Sequence, residues 1–257
     1  MLIDAPARHN TRLREVMAAV NGDAELLQLY RSANINAVDR SGLNDHGEVH
    51  IRIVANAALR MLRILVEAGL SPGVVKDHGL EANDAEVVVY LAACLHDIGI
   101  AVHRDEHEQY SLILAYPKAR QILSGFYQEP ALTAMVAEVL HAVVAHRWDV
   151  RCLTLEASVV KVADALDMSQ GRSRIPFEAG QVNIHSVSAM AVHDVSIERG
   201  SERPLRLDIT LSSSAGIFQV DELLQRKLRN STLAPHVELV ARLEGEGEPT
   251  LLKVYRL

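Results

Sequence analysis

The chain has 257 residues, of which 49% are hydrophobic and 23% are charged, and its formal net charge is −7. These proportions are ordinary for a globular protein and argue against wholesale disorder. The lack of a dominant basic block argues against a bulk nucleic-acid binder or an anionic-membrane binder. Two cysteines are too few for a disulfide framework, and no window approaches the roughly 18 apolar residues of a membrane span. We therefore expect a cytoplasmic protein of one or two domains.

Helical periodicity dominates most of the chain. Apolar residues recur at helical spacing over residues 1–40 and again from His50 to Ala68. Residues 71–84 have the Pro, Gly and Asn content of a loop, and Asp84 can cap a helix that is apolar nearly all round and that Gly99 would end. The pattern then predicts three more helices, over residues 107–125, 131–148 and 155–169.

Strand spacing replaces helical spacing near the C-terminus. Val195 and Ile197 alternate with polar residues, as do the apolar residues from Leu205 to Leu211, and the GSERP between them predicts a hairpin turn. Gln219 to Arg229 has the spacing of an amphipathic helix, and Leu251 to Tyr255 suits an edge strand. These elements predict a small α+β unit at the C-terminus.

The two patterns divide the chain into two parts. We expect a mostly α protein with a helical domain over residues 1–178 and a small α+β domain over residues 179–257. Two alternative roles are open for the smaller domain: it pairs two copies into a homodimer, or it covers a cleft of the helical domain.

Histidines and inward carboxylates are concentrated in the helical part. Eight of the twelve histidines fall between positions 46 and 146, where a uniform spread would put about five. His50 heads an apolar helix stripe, Asp164 lies on the apolar face of another helix, and His96 and Asp97 end the most apolar helix. A buried carboxylate needs a partner or a metal, and these nitrogen and oxygen donors suit Mn, Fe, Co, Ni or Zn. Taken singly, each has a structural alternative as a hydrogen-bonded core histidine or an ion-paired aspartate.

The order of these residues resembles a known family. HIRIVANAAL beginning at His50, HDIG at His96 and VADALD ending at Asp167 together resemble the HD-domain superfamily of metal-dependent phosphohydrolases, over roughly residues 40–175. The resemblance implies an HD-type helical bundle with one or two divalent metal ions (Mn, Fe, Co, Ni, Zn or Mg). It assigns the first set of metal ligands to His50, His96, Asp97 and Asp164.

Further histidines suggest a second ion. HEQYSLIL at His107 and the later AHRWD resemble the cyclic-dinucleotide phosphodiesterase branch, in which comparable histidines hold a second metal and the HD aspartate bridges the two. The resemblance adds His107, His141 and His146 as ligands. His141 and His146 are five residues apart, roughly 140° around a helix, so both facing one ion would need a distorted helix end. The branch's tandem His-His and GYP signatures are absent, which argues against cyclic di-GMP. His46 is left open as a ligand, a partner of a ligand or part of a turn, and whether His103 is a ligand is left open as well.

The resemblance also implies the remaining roles. It implies hydrolysis of a phosphate ester by metal-activated water, with Asp97 as the metal-binding catalytic residue and His103 protonating the leaving oxygen. Ile100 stands where the superfamily often has a lysine after HDIG, so a phosphate-binding cation is expected from elsewhere. Basic residues near the motifs supply the candidates, Arg104 for the developing charge and Arg147, Lys161 and Arg172 for binding the substrate. In the C-terminal unit, Arg226, Lys227 and Arg229 are interpreted as the solvated face of a helix.

Three functions remain open at this point. The favoured function is hydrolysis of a nucleotide or a similar small phosphorylated substrate. The alternatives are a di-iron oxygenase of the same superfamily, which the histidine-rich set permits, and a non-catalytic nucleotide-sensing module. The complete first ligand set argues against the sensing module.

Overall fold

A computed structural model describes residues 2–168, 188, 190–244 and 250–255, the last of these by backbone alone. The candidate Arg172 and the predicted boundary between residues 178 and 179 lie outside the described residues.

The helical part confirms the mostly α prediction. Two irregular turns interrupt its helices, a π-helical turn over Ile35–Arg40 and a 3₁₀ turn over Ile98–Ala101. Its α-helices are α1 (Thr11–Gly22), α2 (Ala24–Asn34), α3 (Glu48–Glu67), α4 (Gly73–His78), α5 (Ala82–Leu95), α6 (His107–Leu123), α7 (Ala131–Ala145) and α8 (Leu155–Leu166). None of the helices in the described ranges has the length and apolarity needed to cross a lipid bilayer.

Helix α5 forms the centre of the helical part. Every residue from Asp84 to Leu95 is buried, and the helix packs against α1, α3, α7 and α8. Its N-terminus differs from the prediction, because Glu81 is the N-cap and Asp84 lies one turn inside as its capping-box partner. The Asp84 carboxylate accepts the Glu81 backbone N–H at 3.0 Å. This burial on all sides explains why the sequence of α5 shows no polar face.

The predicted loop over residues 71–84 contains a short helix, α4. The Glu156 carboxylate from α8 accepts the backbone N–H groups of Gly73 at 2.9 Å and Val74 at 3.0 Å. The first N–H groups of a helix have no partner inside it, and here a residue 82 to 83 positions further along the chain accepts their hydrogen bonds. Local sequence carries no sign of that contact, and the loop prediction was wrong for this reason.

The C-terminal part contains a four-stranded sheet in the order β1–β2–β3–β4. The predicted hairpin is confirmed, since β1 and β2 are antiparallel, and β4 lies at the edge beside β3, as expected. Strands β2 and β3 run parallel, and their connection carries a π-helical segment (Gln219–Leu224) that continues into helix α9 (Gln225–Arg229). The strands are β1 (Val192–Arg199), β2 (Leu205–Leu211), β3 (Val237–Leu243) and β4 (Thr250–Tyr255). This connection packs against α8, and strands β1 and β2 pack against α3.

Gly99 allows α6 to cross closely over the end of α5. A Cβ atom at this position would lie 2.1 Å from the His107 carbonyl oxygen and 2.3 Å from the Ser111 backbone nitrogen. The Gly99 N–H donates to the Ser111 hydroxyl oxygen at 2.9 Å. Gly99 therefore does not end α5, which stops at Leu95. It is needed because backbone atoms leave no room for a side chain.

We expect Gly99→Ala to lower the free energy of unfolding by about 3 kcal/mol, because neither backbone atom can move without displacing α6. Chemical denaturation followed by circular dichroism measures the change. Gly22→Ala is the matched control, since nothing lies within 4 Å of the added Cβ and the residue is helical. That control should be stabilised by about 0.5 kcal/mol. Equal stabilities for the two variants would contradict the close approach.

Candidate metal centre

Four side chains from α3, α8 and the end of α5 bring their donor atoms within 4.8 Å of one another: His50, His96, Asp97 and Asp164. The Nε2 atom of His50 lies 3.2 Å from Nε2 of His96 and 3.3 Å from Oδ2 of Asp97. It lies 3.4 Å from Oδ1 of Asp164. Ligand atoms bound tetrahedrally at 2.0–2.1 Å from one ion are about 3.3 Å apart. The spacing of this first donor group therefore fits a single metal ion.

The end of α5 lets two consecutive residues point to one place. His96 is the C-cap residue, and Asp97 leaves helical geometry with φ −107° and ψ 4°. On a regular helix two neighbours would diverge by about 100°. The chain turns here, so Oδ2 of Asp97 lies 3.4 Å from Nε2 of His96.

A second donor group consists of Asp97, His107 and His146. The Nε2 atoms of His107 and His146 are 3.2 Å apart. Oδ1 of Asp97 lies 3.2 Å from Nε2 of His107 and 3.6 Å from Nε2 of His146. The two groups thus share Asp97, which turns one carboxylate oxygen to each.

Hydrogen bonds on the far side of the rings orient the histidines. The Nδ1 atoms of His96 and His146 donate to the backbone carbonyl oxygens of Ala93 at 2.8 Å and Val143 at 2.5 Å. A carbonyl oxygen can only accept, so each Nδ1 carries a proton, and in the neutral ring the lone pair of Nε2 faces the centre. In His50, Nδ1 lies 2.6 Å from Oδ2 of Asp167. Such partners on the other nitrogen are usual for metal-binding histidines.

The electrostatics of the two groups also suit a cation. Burial would raise the pKa of Asp97, but His96 and the other histidines hold it well below its usual value. Burial likewise opposes ionisation of Asp164, and Lys227 with His96 holds its pKa well below the usual value. Burial and the neighbouring His96 lower the pKa of His146, so its ring is neutral near pH 7. Ionised carboxylates beside a neutral imidazole are the protonation states that metal binding requires.

The comparisons with known proteins agree with this geometry. A family model described as the HD domain matches residues 54–169. The uncharacterized protein MJ1020 of Methanocaldococcus jannaschii is 44% identical over 216 residues, which cover 84% of this chain and 83% of that protein. The chain belongs to the HD-domain family. No solved structure was found to match it. The HD domain places the chain in a superfamily of metal-dependent hydrolases, and His50 lies just before the matched range.

Three side chains predicted as ligands or catalytic or substrate-binding residues, His141, His103 and Lys161, lie outside both donor groups. His141 is outside both donor groups, and its Nε2 accepts the Leu153 backbone N–H at 3.1 Å. His146, at the C-cap of α7, reaches the centre instead, in keeping with the angular separation of the two histidines. His103 is exposed in a turn, where Nδ1 accepts the Asp105 N–H at 3.0 Å. Lys161 is fully buried and donates to the carbonyl oxygen of Val150.

A cavity of about 380 Å³ opens over the two donor groups. Arg104 and Arg147 line it, as the sequence predicted for cations near the histidines. His46 also lines it, with its Nδ1 2.7 Å from the Asn44 carbonyl oxygen, and is not in either donor group. The other described residues that line it are Asp97, His107, Glu108, His146, Trp148, Asp164, Glu222, Leu223, Arg226 and Lys227.

Sequence reasoning missed two residues of this site, Asp167 and Lys227. Asp167, the partner of His50, is the last residue of the VADALD stretch, where three-residue spacing from Asp164 was a usable signal. Lys227 pairs with Asp164, so its interpretation as a solvated charge was wrong. No local pattern marked Lys227, because its helix reaches the site only through the C-terminal fold.

Removing the partner of His50 should weaken metal binding. We expect Asp167→Asn to lower metal affinity about 10- to 100-fold, because the ring of His50 loses a charged acceptor. Competition with a chromogenic chelator measures the affinity. Asp77→Asn on α4 is the matched control, since Asp77 is exposed and outside both donor groups. An unchanged affinity in Asp167→Asn would show that Asp167 does not support a ligand.

The two histidines at the end of α7 should differ in metal binding. His146→Ala removes a donor of the second group and is expected to lower the bound metal measured by mass spectrometry of purified protein. His141→Ala removes only the hydrogen bond from Leu153 and should keep the wild-type metal content. The reverse result would restore His141 as a ligand.

Proposed function

We propose that the protein is a metal-dependent phosphohydrolase that holds two divalent ions, one in each donor group, and cleaves a small phosphate ester. The observation that carries the proposal is the shared Asp97 carboxylate, which offers Oδ2 to the first group and Oδ1 to the second at the floor of a cavity that Arg104 and Arg147 help to line.

The donor set favours particular metals. It consists of imidazole nitrogens and carboxylate oxygens without a thiolate, which suits Mn, Fe, Co, Ni or Zn better than a soft metal. Divalent ions bound here would supply a coordinated water of lowered pKa and positive charge for the phosphoryl oxygens. Asp97 would be a ligand of both ions.

The cavity charges favour an anionic substrate. Among the described residues, four basic and four acidic side chains line it, and two of the acidic ones, Asp97 and Asp164, belong to the donor groups. Once those two carboxylates are neutralised by metal, the basic side chains outnumber the remaining acidic ones, Glu108 and Glu222. A volume of about 380 Å³ is at the small end of ligand sites and favours a small molecule over a polymer.

Arg104 and Arg147 are proposed to bind and orient the phosphate. A guanidinium presents a planar fork of donors that matches phosphate oxygens. Arg147 is already positioned by Glu106 at 3.1 Å and Asp149 at 2.8 Å. His103 takes no part in this proposal, because it is exposed and does not line the cavity.

The test is hydrolysis by protein loaded with one metal at a time. Wild-type protein with Mn, Co, Fe, Zn or Mg is assayed against phosphomonoesters and phosphodiesters, and release of product is expected with at least one metal. Asp97→Ala should lose metal from both donor groups and lower kcat/KM about 10³-fold or more, since several kcal/mol of metal stabilisation are lost. Asp77→Ala is the surface control.

Other outcomes would point to the other functions. Asp97→Ala with wild-type metal content and turnover would contradict the proposal. Dioxygen uptake by iron-loaded protein without phosphate release would favour an oxygenase. Trp148, the single tryptophan of the chain, lines the cavity, so its fluorescence reports ligand binding. A fluorescence response to nucleotides without any turnover would favour a sensing module.

A further inference from the structure

Helix α9 of the C-terminal part brings a lysine into the cavity. Lys227 lines the cavity together with Asp97 and His107, although it lies 63 residues beyond Asp164 in the chain. Its ammonium donates to Oδ2 of Asp164, while Oδ1 of the same carboxylate faces the first donor group. One carboxylate therefore separates Lys227 from the candidate metal site.

The position of α9 is fixed by packing and hydrogen bonds. Val220, Leu224 and Leu228 are fully buried on one face of this segment. At its end, the Asn230 side-chain amide donates to the Trp148 carbonyl oxygen at 2.9 Å, and the Asn230 carbonyl oxygen accepts the Cys152 N–H at 2.9 Å. These contacts hold the helix against the turn that follows α7. The lysine is therefore held at the cavity by the fold and is not a freely moving surface charge.

Lys227 has hydrogen-bonding capacity left for a ligand. An ammonium has three N–H donors, and the bond to Asp164 uses one of them. The side chain is only 15% exposed, so the remaining donors are close to the cavity wall and not in bulk solvent. Its neighbour Arg226 is 53% exposed and pairs with Glu222 one turn earlier, which makes it the weaker candidate.

We propose that Lys227 is a substrate-binding residue that contacts the phosphoryl oxygens, so that the C-terminal part completes the active site. The inference rests on the proposed function. It makes α9 the source of a basic charge that directly contacts the first donor group. The competing role is purely positional, in which Lys227 only orients Asp164 as a metal ligand.

The test separates phosphate binding from metal binding. Full-length wild type, Lys227→Met, Lys227→Arg and Arg229→Met are loaded with Mn, and metal content and melting temperature are measured for each. Binding of inorganic phosphate is then measured by calorimetry, and kcat and KM are measured with the best ester from the panel. Arg229 is the matched control, because it lies on the same helix, is exposed and does not line the cavity.

We expect Lys227→Met to keep its metal and to bind phosphate about 10- to 100-fold more weakly, the usual effect of losing a charged hydrogen bond. KM for the ester should rise by a similar factor. Lys227→Arg keeps the charge and should lose less, and Arg229→Met should match wild type.

Two results would overturn the inference while leaving the proposed function intact. The first is wild-type phosphate affinity and KM in Lys227→Met. The second is loss of metal in Lys227→Met with unchanged phosphate affinity per loaded chain, which assigns the residue to Asp164 alone. A wild type that neither binds phosphate nor hydrolyses any ester would instead refute the proposed function and, with it, this inference.

Discussion

The Asp97 carboxylate is the group on which the arrangement of the site depends. It is buried and ionised, and its two oxygens face different sets of imidazoles. An isolated buried carboxylate is strongly unfavourable, so the surrounding histidines are what make this position tolerable, as would a cation held by the donor groups. Every helix that contributes a donor is therefore constrained in distance and direction by this one side chain.

The backbone supplies much of the precision of the centre. His96 and His146 are oriented by carbonyl oxygens three residues earlier, near the ends of α5 and α7, where carbonyl groups lack helical partners. One hydrogen bond thus has two effects: it gives a carbonyl oxygen at the helix end a donor, and it fixes the proton of the histidine on Nδ1. Histidines at helix ends are for this reason easier to place than histidines within helices.

The sequence predicted the long helices and the strands β1, β2 and β4, because their apolar spacing is a local property, but it did not predict β3. It also singled out the residues of the two donor groups, since HDIG and the flanking motifs have a recognisable order. The sequence-based predictions were wrong where contacts between distant parts of the chain determine the position of a residue or a helix. Helix α4 depends on Glu156 from α8, the burial of Lys161 depends on a loop carbonyl, and the location of Lys227 depends on the C-terminal sheet. His141 is a further example. The sequence alone did not show which of His141 and His146 reaches the donor groups, and the structure places His146 there, at the end of α7.

The parallel pairing of β2 with β3 has an evolutionary consequence. A parallel pair needs a long connection, and here that connection carries α9 to the rim of the cavity. The two donor groups at the floor of the cavity belong to the helices of the other part of the chain. Insertions, deletions or substitutions within this connection can therefore change the part of the cavity lining that α9 supplies, while the donor groups stay unchanged. Relatives that share this architecture can thus diverge in ligand preference by altering the β2–β3 connection alone.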